Sequence, residues 1–155
     1  MCFYGKMQFP SRYVPKTLSK KDRKTQISTL MKSRRLYSRH KYYPREKLAS
    51  FRSKESDHVT RAKRLYQVDS VAPSLQLARK TGCTVSALKK IVNKGEGAYY
   101  SSGSRPNQTA SSWGLARLAS AITGGNAAKV DFNILENGCD PKKKAFQLAK
   151  RFDRR

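Results

Sequence analysis

The side chains best equipped for chemistry in this sequence are cations interleaved with aromatic rings. Arg34, Arg35, Arg39, Lys41, Tyr42, Tyr43, Arg45 and Arg52 fall close together, with Pro44 and Phe51 among them. Long cationic side chains neutralise phosphate, while aromatic rings stack on bases or pack on protein. A second group lies in the punctuated stretch Gly95 to Gly125, where Tyr99, Tyr100, Arg105 and Asn107 occupy a loop dense in hydrogen-bonding groups. That loop either grips a phosphate, a carboxylate or a neighbouring chain through Arg105, or packs on itself and caps the next helix. Lys89 and Lys90 form a third group and Lys142, Lys143 and Lys144 a fourth. The same cations would equally form a solvated helix face, and size decides between the readings. With 34 Lys and Arg against 10 Asp and Glu, a formal charge of +24, the excess exceeds what solubility needs. Binding to a polyanion or to an acidic protein surface is the expectation.

Other chemistry is missing its parts. Neither His40 nor His58 lies beside a nucleophile motif. Metal-ligand spacings of the paired-cysteine, zincin or calcium-loop kind do not occur. Lys94, Gly95, Glu96 and Gly97 lack the spacing of a phosphate loop. Asp131, Glu136 and Asp140 are expected as solvated helix carboxylates. The expectation is a protein without catalytic residues, cofactor or metal.

The elements that must position the cations follow from periodicity. At 155 residues the chain has room for one modest core. Residues 1–69 hold 19 basic and five acidic side chains, a net +14; residues 70–141 hold eight and four, +4; residues 142–155 hold seven and one, +6. The division reads as a basic arm with one or two amphipathic helices, a compact helical core, and a basic C-terminal helix. Phe3, Tyr4, Phe9 and Tyr13 with Pro10 and Pro15 favour an extended arm, mobile when alone. Ser19 and Asp22 open a helix whose face carries Ile27, Leu30, Met31 and Tyr37, the opposite face being Lys and Arg. A second helix, Ser56 to Tyr66, places Val59, Ala62 and Tyr66 together.

From Ser70 the pattern is that of a small globule. Leu75, Leu77 and Ala78, then Gly82, then Val85, Leu88, Ile91 and Val92 predict two helices about a tight turn, entered at Pro73 and ended by Gly95. LARKTGCTVSALKKIV resembles a helix-turn-helix, with Ser86, Ala87, Lys89, Lys90 and Asn93 outward on the second helix. An αα-corner used only for packing has the same signature. Ser111 or Ser112 caps a central helix, Trp113 to Thr123, closed by Gly124 and Gly125. A further helix from Asn126 to Asn137, or a strand from Lys129 to Leu135, comes next. The last helix starts at Asp140 and Pro141, with Ala145, Leu148, Ala149 and Phe152 inward and Lys142 to Lys144 in its first turn. Cations there oppose the helix dipole unless something negative lies near.

Three cysteines, Cys2, Cys83 and Cys139, at no pairable spacing suit a reducing compartment, and no disulfide is expected. MCFYGKMQFP lacks a signal-peptide apolar run, and Trp113 to Ile122 is too short to span a membrane.

The run KKIVNKGEGAYYSSGSRPNQTASSWGLARLASAITGG, with RYVPKTLSKKDRKTQ, KYY and HVTRAKRLY before it, is similar to a family of small, uncharacterised basic proteins of large double-stranded DNA viruses of the nucleocytoplasmic type. The resemblance implies a viral, virion-associated origin and neither an activity nor a site. Together with the charge it gives the expected function: a non-enzymatic minor capsid-associated structural protein, formed in a reducing host-cell interior, that binds capsid proteins through core and arms, with the genome as a further partner. The alternative is a helix-turn-helix DNA-binding protein.

Overall fold

The computed structural model describes the backbone of residues 2–4 and 7–153 and the side chains of 9–151. The side chains of Cys2, Phe3, Tyr4 and Phe152 lie outside the described residues. The fold is mainly α. Among the described residues, a short antiparallel hairpin of β1 (Cys2–Tyr4) and β2 (Met7–Phe9), with Phe3 opposite Gln8, precedes eight helices. These are α1 (Lys20–Tyr37), α2 (Asp57–Tyr66), α3 (Leu75–Thr81), α4 (Val85–Ser101), α5 (Ala110–Ile122), α6 (Asn126–Val130), α7 (Phe132–Gly138) and α8 (Lys144–Asp153).

In place of the single expected core there are two compact units. The first joins Met1–Lys54 to Gly97–Ala110 and the second joins Glu55–Glu96 to Ser111–Arg155. The N-terminal segment is therefore not an extended arm. Pro10 and Pro15 head tight turns, with Tyr13 N–H donating to Pro10 O and Leu18 N–H to Pro15 O. Phe9, Tyr13, Val14 and Leu18 at these turns are buried, as are Ile27 and Leu30 of α1, Leu48 and Tyr99. Proline bent the chain back onto its own apolar side chains instead of holding it straight.

α1 begins as the sequence dictates: the Ser19 hydroxyl accepts from Asp22 N–H at 3.1 Å. Asp22 Oδ2 in turn accepts from Ser50 N–H and Oγ at 2.9 and 2.6 Å. α1 closes without glycine. Lys41 N–H reaches Leu36 O and His40 N–H reaches Tyr37 O, both at 2.9 Å, with His40 in the left-handed region at φ 60°. This is the paired bonding of a Schellman closure, and it throws the chain back at Lys41.

In the second unit α2 is capped by Ser56, and its Tyr66 hydroxyl donates to Ile122 O. α3 is capped by Ser74, one residue after Pro73, and ends on Gly82 at φ 81°. α5 is the buried helix, with Leu118, Ala119, Ala121 and Ile122 fully enclosed. It starts at Ala110, so Ser111 and Ser112 lie inside its first turn and do not cap it. Gly95 does not end α4, which runs on through Gly97 to Ser101. A Cβ on Gly95 would lie 2.6 Å from the Cα of Gly114 on α5, so these glycines serve close helix approach and not termination.

The expected helix after Asn126 is broken in two at Asp131, and no strand forms there. α8 starts three residues late, at Lys144, because Asp140 Oδ1 takes Lys142 N–H at 2.9 Å and holds Lys142 and Lys143 in a turn. Leu75, part of the apolar pattern of α3, is 69% exposed, and Val130 at the end of α6 is 64% exposed.

The absence of a disulfide is corrected outright: Cys83 and Cys139 are bonded across 56 residues. Their segments meet as an antiparallel bridge, with Thr84 N–H donating to Gly138 O and Asp140 N–H to Gly82 O, both at 2.8 Å. No spacing rule reveals a pair made by tertiary contact, and the inference of a reducing compartment loses its ground with it.

Candidate functional site

Charge is concentrated in the first unit. Its residues hold 17 Lys and Arg against two acids, Asp22 and Glu46, a net +15 out of the chain's +24. α1 alone carries seven cations and one acid. Its outer face bears a shallow groove lined by Lys24, Ser28, Met31, Lys32 and Arg35. The spacing of four, seven, eight and eleven residues keeps them on one side of an α-helix, with buried Ile27 at its margin and buried Leu30 on the far side. Periodicity placed Met31 on the apolar face, but it lies at the groove's edge, half-buried. Lys24, Ser28 and Lys32 were not singled out by type. Their signal was present in the polar period of α1.

The His40 turn brings aromatic rings to the C-terminal end of this helix. Lys32 Nζ sits 4.5 Å from the centroid of the Tyr43 ring. Tyr42 packs at 6.1 Å on Tyr37 and 5.0 Å on Tyr100, while Tyr37 and Tyr100 lie nearly parallel, 9° apart at 6.3 Å. Tyr42 itself is 66% exposed. Arg35, Arg39, Lys41 and Arg52 are exposed as well. Backed by two rings, Tyr42 offers a flat apolar surface within the strongly cationic first unit.

Several residues of the same sequence cluster have internal duties instead. Arg45 is drawn inward: its guanidinium donates to Ser33 Oγ at 3.2 Å, Tyr99 O at 2.9 Å and Ser104 Oγ at 2.7 Å, and lies 3.8 Å from the Tyr99 ring centroid. Tyr99 is buried and its hydroxyl accepts from Arg45 N–H at 3.0 Å. Burial holds the Arg45 pKa below the usual guanidinium value, against the pull of the neighbouring tyrosines. Arg34 donates to Ser102 O at 2.8 Å and stacks on Phe9 at 4.4 Å. Asn107, at φ 62°, staples the preceding segment: Oδ1 accepts from Leu48 N–H at 2.6 Å, and Nδ2 donates to Leu48 O and Phe51 O at 3.2 and 2.7 Å. Of the loop's proposed gripping groups, Arg105 is exposed, whereas Ser104 and Asn107 knit the unit together.

In the second unit Lys89 and Lys90 are exposed on α4, and Lys142, Lys143 and Lys144 are exposed before and at the start of α8. Ser86 and Asn93 also face outward. Ala87 does not: it is buried, and a Cβ on Gly138 would lie 2.4 Å from its methyl carbon. The expected outward set therefore loses a member at the first turn of α4, and the turn before it is clamped by the disulfide.

Asp131, read as a solvated carboxylate, is fully buried. It accepts from Arg117 Nε and Nη2 at 2.7 and 2.8 Å and from Lys94 Nζ at 2.8 Å. Burial pushes its pKa up, but the hydrogen bonds and charges of Arg117 and Lys94 prevail and hold it below the usual carboxylate value. The Arg117 pKa is raised by the same bond. Both ends of this carboxylate are occupied by cations, which makes it a structural ion triad.

Among the described residues there is no group of three or more His, Cys, Asp or Glu side chains placed to hold a metal. No helix of the described residues is long and apolar enough to cross a membrane.

No curated protein and no solved structure matches the chain. A family model described as "Family of unknown function (DUF5824)" matches residues 10–144, which takes in most of both units, and the chain belongs to that family.

Proposed function

We propose that this is a non-enzymatic structural protein that fastens to polyanionic partners through the cationic face of its first unit. The observation that carries the reading is stoichiometric: two carboxylates cannot neutralise 17 cations in that unit. Left bare, such a surface repels itself, and a polyanion relieves that repulsion while releasing its own counterions. The ion pairs of Lys63 with Glu55 and of Asp131 with Lys94 and Arg117 lie in the second unit. The resemblance to basic proteins of large DNA viruses supplies a setting, a minor capsid-associated component whose partners are capsid proteins and the genome.

A second reading, a helix-turn-helix DNA-binding protein, is favoured by the exposure of Ser86, Lys89, Lys90 and Asn93 on α4. Burial of Ala87 at the start of that helix weighs against it, because recognition helices present their N-terminal residues to base edges. Fluorescence anisotropy with duplex DNA and with polyglutamate over a salt series tests both. Under the first reading the logarithm of affinity falls linearly with the logarithm of salt for each polyanion, and Lys89→Ala with Lys90→Ala changes little. Sequence-selective duplex binding abolished by the α4 substitutions would favour the second. No salt-dependent binding to any polyanion would overturn the first.

A further inference from the structure

Resting on the polyanion reading, we propose that the groove of α1 and the adjoining tyrosine ledge form a binding site for single-stranded nucleic acid, with a base stacked on Tyr42 and the backbone phosphates along Lys24, Lys32, Arg35, Arg39 and Lys41.

A site of this kind needs a flat aromatic face open to solvent, a rigid backing, and cations spaced to follow a sugar-phosphate chain. Tyr42 supplies the face at 66% exposure, and Tyr37 and Tyr100 supply the backing at 6.1 and 5.0 Å. The Schellman closure at His40 fixes the turn that presents it. A non-glycine residue in the left-handed region is sterically costly, yet the closing bonds hold it there. Lys32 lines the groove and also caps the ring of Tyr43, the residue next in sequence to Tyr42, at 4.5 Å. Along the helix, Lys24 to Arg35 covers about 16 Å at 1.5 Å per residue, a length of several phosphates in a stacked strand.

The same features separate this occupant from the other polyanions. In a duplex the base faces are already stacked, so an exposed ring adds nothing unless a base is unpaired. An acidic protein segment would satisfy the cations but has no planar group to place on the ring.

The test uses the full chain with three probes, an oligothymidylate, a duplex of equal phosphate number, and a polyglutamate of equal charge, read by anisotropy at physiological salt. Tyr42→Ala is expected to weaken oligothymidylate binding roughly tenfold to a hundredfold and to leave duplex and polyglutamate binding unchanged. Tyr42→Leu keeps packing on Tyr37 and Tyr100 and is expected to lose the same affinity, while Tyr42→Phe retains it. Combined Lys24→Ala, Lys32→Ala and Arg35→Ala is expected to lower the salt slope for the single strand by about two. Unchanged oligothymidylate affinity in both Tyr42→Ala and Tyr42→Leu overturns the site while leaving polyanion binding standing. An equal loss on polyglutamate assigns the ledge to an acidic protein segment and overturns the proposal too. Salt-insensitive or absent binding to all three probes sinks the polyanion reading itself.

Discussion

A single side chain, Arg45, joins three separate stretches of the first unit. It bonds to Ser33 on α1, to Tyr99 on α4 and to Ser104 in the loop, with its own N–H on the Tyr99 hydroxyl. Arg45→Ala would strand these acceptors and is expected to cost about 2–4 kcal/mol, measured as a shift of the urea midpoint. Arg45→Lys should recover little of it, because an ammonium cannot reproduce a planar fork over a ring. Asp131 is the counterpart in the second unit. Asp131→Asn leaves Arg117 and Lys94 beside a buried neutral group and is expected to destabilise by about 3 kcal/mol. The acid limb of stability follows from the same carboxylate. Its folded pKa is held below the ordinary value, as is that of Asp22 through its bonds from Ser50. Stability from these groups is thus fully present above the ordinary carboxylate range and is lost as pH falls through their lower folded values. Urea midpoints taken downward from pH 5 should decline for the parent chain, and less for Asp131→Asn.

At the scale of elements, the crossing of α4 and α5 depends on backbone contact. A Cβ on Gly114 would lie 2.7 Å from Val92 O, as tight as the Gly95 contact that faces it. Alanine at Gly95 would gain about 1 kcal/mol of helix propensity and lose more to the forced separation of the helices. Gly95→Ala and Gly114→Ala are each expected to lower stability by a net 1–2 kcal/mol, roughly, checked by thermal melts. Half-buried Gly97, whose added Cβ would only touch the Tyr37 hydroxyl at 3.4 Å, is the control and should tolerate alanine far better. The contrast distinguishes a glycine used for packing from one merely carried inside a helix.

For the whole molecule, two forces of opposite sign set stability. The disulfide between Cys83 and Cys139 closes a span of 56 residues, and loop entropy puts its contribution at about 4 kcal/mol. Reduction, or paired Cys83→Ser and Cys139→Ser, should lower the melting temperature markedly. Against it stands the repulsion of +24 charges. Screening weakens that repulsion, so raising salt from low to physiological strength should raise the melting temperature of the isolated chain, and a bound polyanion should raise it further.

What the sequence determined by itself was local chemistry and period. Ser19 with Asp22 marked a helix start and Ser56 the head of a second helical pattern, Gly82 supplied a turn no side chain would favour, and the helical period of Leu88, Ile91, Leu118 and Ile122 identified the buried faces. The cationic excess was equally plain. What only tertiary structure decided was which partner each group met. Gly95 read as a stop and became a crossing point, because the neighbour that demanded a bare Cα stands 19 residues away. Arg45 and Tyr99 belonged by type to a binding surface but were drawn inside by each other, while Tyr42 was left at the surface by the turn at His40. Caps, turns and periods are set by residues within a few positions of one another and can be read in order. Disulfide pairing, buried ion triads and the choice between an exposed and an enclosed cation depend on chain segments that meet only after the fold has closed.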